Sequence, residues 1–132
     1  MSQKNLPVLI LAALTVGLAG CDRQVSYSAD VEAVLKDYCA NCHTPGSEGF
    51  STSGFNIVSY DTVMRGTSLG PVIVEGSAMS STLYRVIAKQ SAVEIHMPPT
   101  EAESLAQGRG KVLPDDKVAL IGKWIDQGAK NN

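Results

Sequence analysis

Apolar residues recur at three and four spacing in three parts of the chain. In DVEAVLKDYCANCH, which starts at Asp30, Val31, Val34, Leu35 and Tyr38 share one face, and Ser28 or Asp30 is a good N-cap. The spacing predicts an amphipathic helix running into Cys39 and Cys42. STLYRVIAKQ places Leu83, Tyr84 and Ile87 on one side of a second helix. A last helix is predicted from Pro114 or Asp115, with Val118, Ile121, Trp124 and Ile125 on its apolar face and Gly128 at its end. Tyr60 to Arg65 reads as a short helix closed by Gly66, and LGPVIVEG reads as extended, a single strand with no evident partner. Thr44 to Val58 is rich in Gly, Ser and Thr and reads as an irregular loop that packs through Phe50 and Phe55. Glu94 to Pro114, with Pro98, Pro99, Gly108 and Gly110, is a second loop. The pattern shows neither repeats nor an internal linker and predicts a small all-α domain with long loops.

The first twenty residues break this pattern. Lys4 precedes an apolar run from Val8 that is too short to cross a bilayer as a helix, so residues 1–20 read as a signal peptide. The run ends in LAGC, Leu18 to Cys21, which resembles the lipobox of bacterial lipoprotein precursors. That resemblance implies cleavage before Cys21 and a thioether-linked lipid on it; several acyl chains together anchor stably where one does not. Ordinary cleavage near Ala19 or Gly20 would instead leave Cys21 a free thiol. On the lipoprotein reading, residues 21–29 are the lipid attachment and a short polar tether, and residues 30–132 are the domain.

Charge excludes one class of partner. The 132 residues carry 11 basic and 13 acidic side chains, and removing the signal peptide takes away only Lys4, leaving a formal charge of −3. There is no basic run for nucleic acid. Composition adds a shortage: aromatic residues make up 5% of the chain, and long loops leave little apolar material for a core. A large flat prosthetic group would supply what is missing.

The chemistry concentrates in Cys39, Cys42 and His43, spaced C-x-x-C-H. Zinc needs about four tetrahedral ligands, and the chain offers only one further histidine, His96. Thiol–disulfide exchange would use the C-x-x-C alone, but the surrounding βαβ pattern of such sites is absent. Covalent haem explains the whole motif: two thiols about one helical turn apart reach two vinyl groups on one porphyrin edge, and the adjacent imidazole becomes the proximal iron ligand. The export signal agrees, because haem c is assembled outside the cytoplasm.

An N-terminal helix ending in CANCH, a Met-Pro-Pro loop and a closing amphipathic helix resemble a class I monohaem cytochrome c. More narrowly, GFNIVSYDTVMRG, VIVEGSAMSSTLYRVI, HMPP and LIGKWIDQGA resemble the planctomycete-type cytochrome c domain. The sequence departs from that family at Glu75-Gly76, where Pro-Gly is common, and in the insertion-like stretch Glu101 to Gly110. The resemblance implies a cytochrome c-like fold around one covalent haem c, with Met97 as sixth ligand; His96 is the competitor, and Met64 and Met79 lie outside the ligand loop. Leu35, Phe55, Ile57, Leu83, Ile87 and Trp124 are the candidates for packing on the ring. Arg65, Arg85, Tyr60 and Trp124 are candidate donors to its propionates.

The function expected from this is electron transfer, with no catalytic residues and no small-molecule substrate. Its partners would be redox proteins, reached in the membrane plane through the lipid on Cys21. Two other readings stand beside it: a haem sensor or peroxidase-like enzyme whose sixth ligand leaves, and a fixed haem subunit of a larger oxidoreductase. The location expected is the periplasm, and Asp22 after the lipidated cysteine resembles an inner-membrane retention signal of some Gram-negative lipoproteins.

Overall fold

In the computed structural model, which describes residues 22–99, 106 and 111–132, the chain turns helical at Tyr27, earlier than a cap at Ser28 or Asp30 predicts. The reason is a reciprocal cap: the Ser26 hydroxyl accepts from the Ala29 amide at 3.2 Å, and the Asp30 carboxylate accepts from the Ser26 amide at 2.9 Å. One π turn, Tyr27–Val31, leads into α1 (Glu32–Cys39). Val31, Val34 and Leu35 are buried, as their spacing predicts, while Glu32 and Lys36 form an exposed ion pair of small energetic weight. Residues 1–20, Cys21 and, apart from Ala106, the stretch 101–110 lie outside the described residues.

The stretch expected to be irregular contains a helix, α2 (Glu48–Ser53), which stops at Gly54 in the left-handed region, φ 75°. Helix α3 (Tyr60–Arg65) forms where predicted, because Ser59 and Thr62 make a capping box at its start and Gly66, φ 85°, ends it. LGPVIVEG is extended, but it forms no strand: an isolated bridge between Thr67 and Gly70 is the whole of its pairing among the described residues. It is fixed from the side by Ser81, fully buried, whose hydroxyl accepts from Val74 N at 2.8 Å and donates to Ser77 O at 2.8 Å.

Helix α4 (Thr82–Ile87) buries Leu83 and Ile87, and a 3-10 turn, Val93–Ile95, follows. Helix α5 (Asp115–Asp126) carries acids in its first turn and Lys123 in its last, matching its dipole. It packs on α4 and on the π turn. The approach to α4 is close, since a Cβ at Gly122 would lie 2.6 Å from Cε2 of Tyr84. Behind α5, Trp124 forms a cluster with Tyr27 and Tyr60, with ring centroids 5.5 Å and 6.5 Å away. Trp124 donates to Lys130 O and Tyr60 to Ala129 O, each at 2.9 Å. These apolar side chains bury one connected core, and the described residues are helical with no strand, an all-α cytochrome c-like arrangement.

The segment expected to be a polar tether is bound along its length. Val25 N donates to Gln127 Oε1 at 2.7 Å, Tyr27 N to Asn132 Oδ1 at 3.0 Å, and Ser28 N to Asn132 O at 3.0 Å. The Ser26 hydroxyl also donates to Asn132 O, at 2.6 Å, and Lys123 pairs with Asp22. Val25 and Tyr27 are buried with the core.

Candidate haem-binding site

Helix α1 ends on Cys39, and the next turn keeps the helical sense: Cys42 N and His43 N both donate to Cys39 O, at 3.1 and 2.9 Å. The two cysteines therefore stand about one turn apart, as the motif requires. The turn is then clasped from outside. Phe50 N of α2 donates to Cys42 O at 2.7 Å, the Ser47 hydroxyl donates to the same oxygen, and Ile57 N donates to His43 O at 3.0 Å. Helix α2 approaches so closely that only a residue without a side chain fits at Gly49, where a Cβ would be 3.0 Å from Cε1 of His43 and 3.1 Å from Cβ of Cys42. Phe55 meets the imidazole edge-on, with centroids 5.3 Å apart and planes at 71°. His43 Nδ1 is buried with no partner in hydrogen-bond geometry. Burial holds the imidazole below its ordinary pKa, with the Phe55 backbone pulling weakly the other way.

Cys39 and Cys42 are not joined as a disulfide. Cys39 is partly buried by residue area and its thiol is desolvated, and that burial together with the neighbouring Cys42 pushes the thiol up to about 12. Held so far from ionisation at neutral pH, the Cys39 thiol is a poor exchange nucleophile. Zinc fares no better, since among the described residues no three His, Cys, Asp or Glu side chains are placed to hold one metal ion.

What the motif faces is a cleft with a mostly apolar lining, open to solvent on one side. Leu35, Leu83, Ile87, Leu113, Pro98 and Ile121 form its walls, and Cys39, Cys42, His43 and Met97 share it. Met97 is 54 positions beyond His43 in the sequence and is held on the wall by its amide, which donates to Val86 O at 3.1 Å. His96 does not line the cleft; its Nε2 lies 3.1 Å from Ser91 O. Met64 packs partly against the core, Met79 is exposed, and neither reaches the cleft.

The packing candidates divide. Leu35, Leu83 and Ile87 line the cleft and Phe55 touches His43, but Ile57 and Trp124 are buried elsewhere in the core. None of the four proposed propionate donors lines the cleft: Tyr60 and Trp124 spend their donors on Ala129 O and Lys130 O, Arg85 lies 3.4 Å from Gln90 O, and Arg65 is exposed. The polar residues that do line it are Asp37, Tyr38, Asn41 and Lys111, which the sequence did not single out. Lys111 bonds Asp37 at 2.8 Å and lies 4.6 Å over the Tyr38 ring, closing one side of the cleft.

A haem fits this site by three tests: apolar walls for a flat macrocycle, a free thiol pair one turn apart, and an imidazole with a thioether on a shared wall. Residues 39–101 match the family described as Planctomycete cytochrome C, a span that runs from the first cysteine of the motif past Met97. No curated protein and no solved structure matches the chain. A domain of that family binds haem c covalently and serves electron transfer. The cleft and the matched span together identify residues 39–101 as a planctomycete-type cytochrome c domain.

Proposed function

We propose that the protein is a periplasmic electron carrier, lipid-anchored at Cys21, that holds one haem c through thioethers at Cys39 and Cys42 with His43 and Met97 as the axial pair. The observation that carries this reading is the shared cleft, in which Met97 and His43 come from distant parts of the sequence to line one apolar space while His96 is turned to Ser91 O. The single C-x-x-C-H motif supports one haem, and LAGC supports the anchor. When bound, the haem supplies a one-electron iron couple, whose ferrous side a thioether ligand favours.

The residues around it have separate tasks. Phe55 and the α2 backbone fix the His43 ring, the Val86 carbonyl fixes the Met97 backbone, and Leu35, Leu83, Ile87 and Ile121 exclude water. The test is the visible spectrum of haem-loaded protein. A weak far-red charge-transfer band that is lost in Met97→Ala and kept in His96→Ala is expected. Its absence from the native protein, together with rapid carbon monoxide binding, would overturn the His/Met assignment and the carrier reading.

A further inference from the structure

A lipid on Cys21 is usually pictured as a leash. Residues 22–28 as a free linker would give the domain a reach of about 15 Å beyond the anchor. The bonds described above leave no such leash: Asp22 is paired with Lys123, Arg23 with Asp30 at 2.6 Å, Val25 with Gln127, and Ser26, Tyr27 and Ser28 with Asn132. Gln127 reaches back in turn, its Nε2 donating to Arg23 O at 3.3 Å. Val25 and Tyr27 add burial to these polar ties, at 5% and 4% exposure.

We propose that Asp22–Ser28 is a docked strap that fixes the domain against the lipid surface, with the corner formed by Asp22, Lys123, Gln127 and Asn132 facing the bilayer. The inference rests on the lipid anchor at Cys21 proposed above. Only Cys21 and the exposed residues 22–24, tied back through Asp22 and Arg23, then separate the acyl chains from the buried Val25, so the domain keeps one restricted orientation on the membrane instead of tumbling on a linker. The haem site is placed by the same geometry. Ser28 and Cys39 stand at opposite ends of one continuous helical run, eleven residues apart at about 1.5 Å each, or about 17 Å. The site therefore sits within about 2 nm of the strapped corner, and the strap, not a random chain, sets its height.

The test uses the lipidated, haem-loaded protein on oriented supported bilayers, with linear dichroism of the haem visible band as readout. The native protein is expected to be dichroic, and the Gln127→Ala/Asn132→Ala double variant to lose most of that signal while keeping the same visible spectrum. In the unlipidated domain, the Val25 and Tyr27 amides, which donate to the Gln127 and Asn132 side chains, are expected to exchange hydrogen at least about tenfold more slowly than in the double variant, with the α5 amides unchanged. Bilayer-bound native protein without dichroism, or with those two amides exchanging at free-chain rates, overturns the strap. Failure of the anchor looks different: mass spectrometry finds no acyl group on Cys21 and the protein washes off the bilayer, which removes the proposal even if the amides stay protected.

Discussion

Replacing Gly49 with alanine separates two physical effects of opposite sign. Gly49 lies inside α2, where alanine is favoured over glycine by about 0.5–1 kcal/mol through backbone entropy. On an open helix face the substitution would therefore stabilise. Here the new Cβ overlaps the Cys42 carbonyl oxygen and lies 3.0 Å from the His43 ring. The Cys42 carbonyl cannot retreat, because Phe50 N holds it at 2.7 Å and the Ser47 hydroxyl bonds it too. Overpacking against fixed atoms costs about 1–3 kcal/mol, so the net expectation is a loss of about 0.5–2 kcal/mol. For a domain near 100 residues that lowers the melting temperature by about 3–15 °C. The assay is circular-dichroism melting of haem-loaded protein, with Thr52→Ala, exposed on the same helix, as the control for helix propensity. Thr52→Ala is expected to leave the melting temperature level or slightly raised. A Gly49→Ala protein that melts at or above the native temperature would refute the argument and place α2 away from the C-x-x-C-H turn.

The aromatic cluster gives a matched pair of hydroxyl deletions. Tyr27 Oη is buried without a partner, so Tyr27→Phe is expected to be neutral or stabilising by up to about 1 kcal/mol, whereas Tyr60→Phe loses the bond to Ala129 O and about 0.5–1.5 kcal/mol. Urea unfolding at neutral pH reads both, and a clear loss for Tyr27→Phe would mean that its hydroxyl has a partner. Burial first, then the nearby Glu32, pushes Tyr27 from 10.0 up to about 12. The unfolded chain thus ionises first, so this group's share of stability is whole below pH 10 and is lost as pH rises through 12. Tyr27→Phe is expected to flatten the fall in stability over that window, and an unchanged alkaline limb would count against the assignment. Ser59→Ala removes one half of the α3 capping box and is expected to cost about 1 kcal/mol in the same unfolding assay, with the haem spectrum unaltered.

Long helices were legible because they announce themselves through burial. Val31, Val34 and Leu35 in α1, and Ile121, Trp124 and Ile125 in α5, recur at helical spacing and are buried. The attachment motif was equally plain, since covalent chemistry demands adjacent residue types in fixed order. Helix α2 left no such trace: its six residues, EGFSTS, bury nothing fully, and contacts with the Cys42 carbonyl hold it in place. The cleft's polar side was hidden for a related reason, because Lys111 is far from Asp37 and Tyr38 in the sequence and meets them only after the chain has folded. Trp124 shows the converse failure. Its position on the apolar face of α5 was read correctly, but periodicity does not say which neighbour that face meets, and the indole turns toward Tyr27 and Tyr60 and away from the cleft. Residues 22–28 read as tether because polar residues pairing with partners about a hundred positions away leave no local pattern.

Trp124 is the one tryptophan of the chain, is 1% exposed, and follows the cleft-lining Ile121 by three residues on α5, about 5 Å along the helix axis. Its emission overlaps haem absorption, so the protein carries its own optical gauge of maturation. Folded and loaded chains are dark, folded chains awaiting their cofactor glow at the short wavelengths of a buried indole, and unfolded chains without haem glow at longer ones. A single emission scan of a preparation thereby separates the two haem-free populations, folded and unfolded, that haem absorbance does not see.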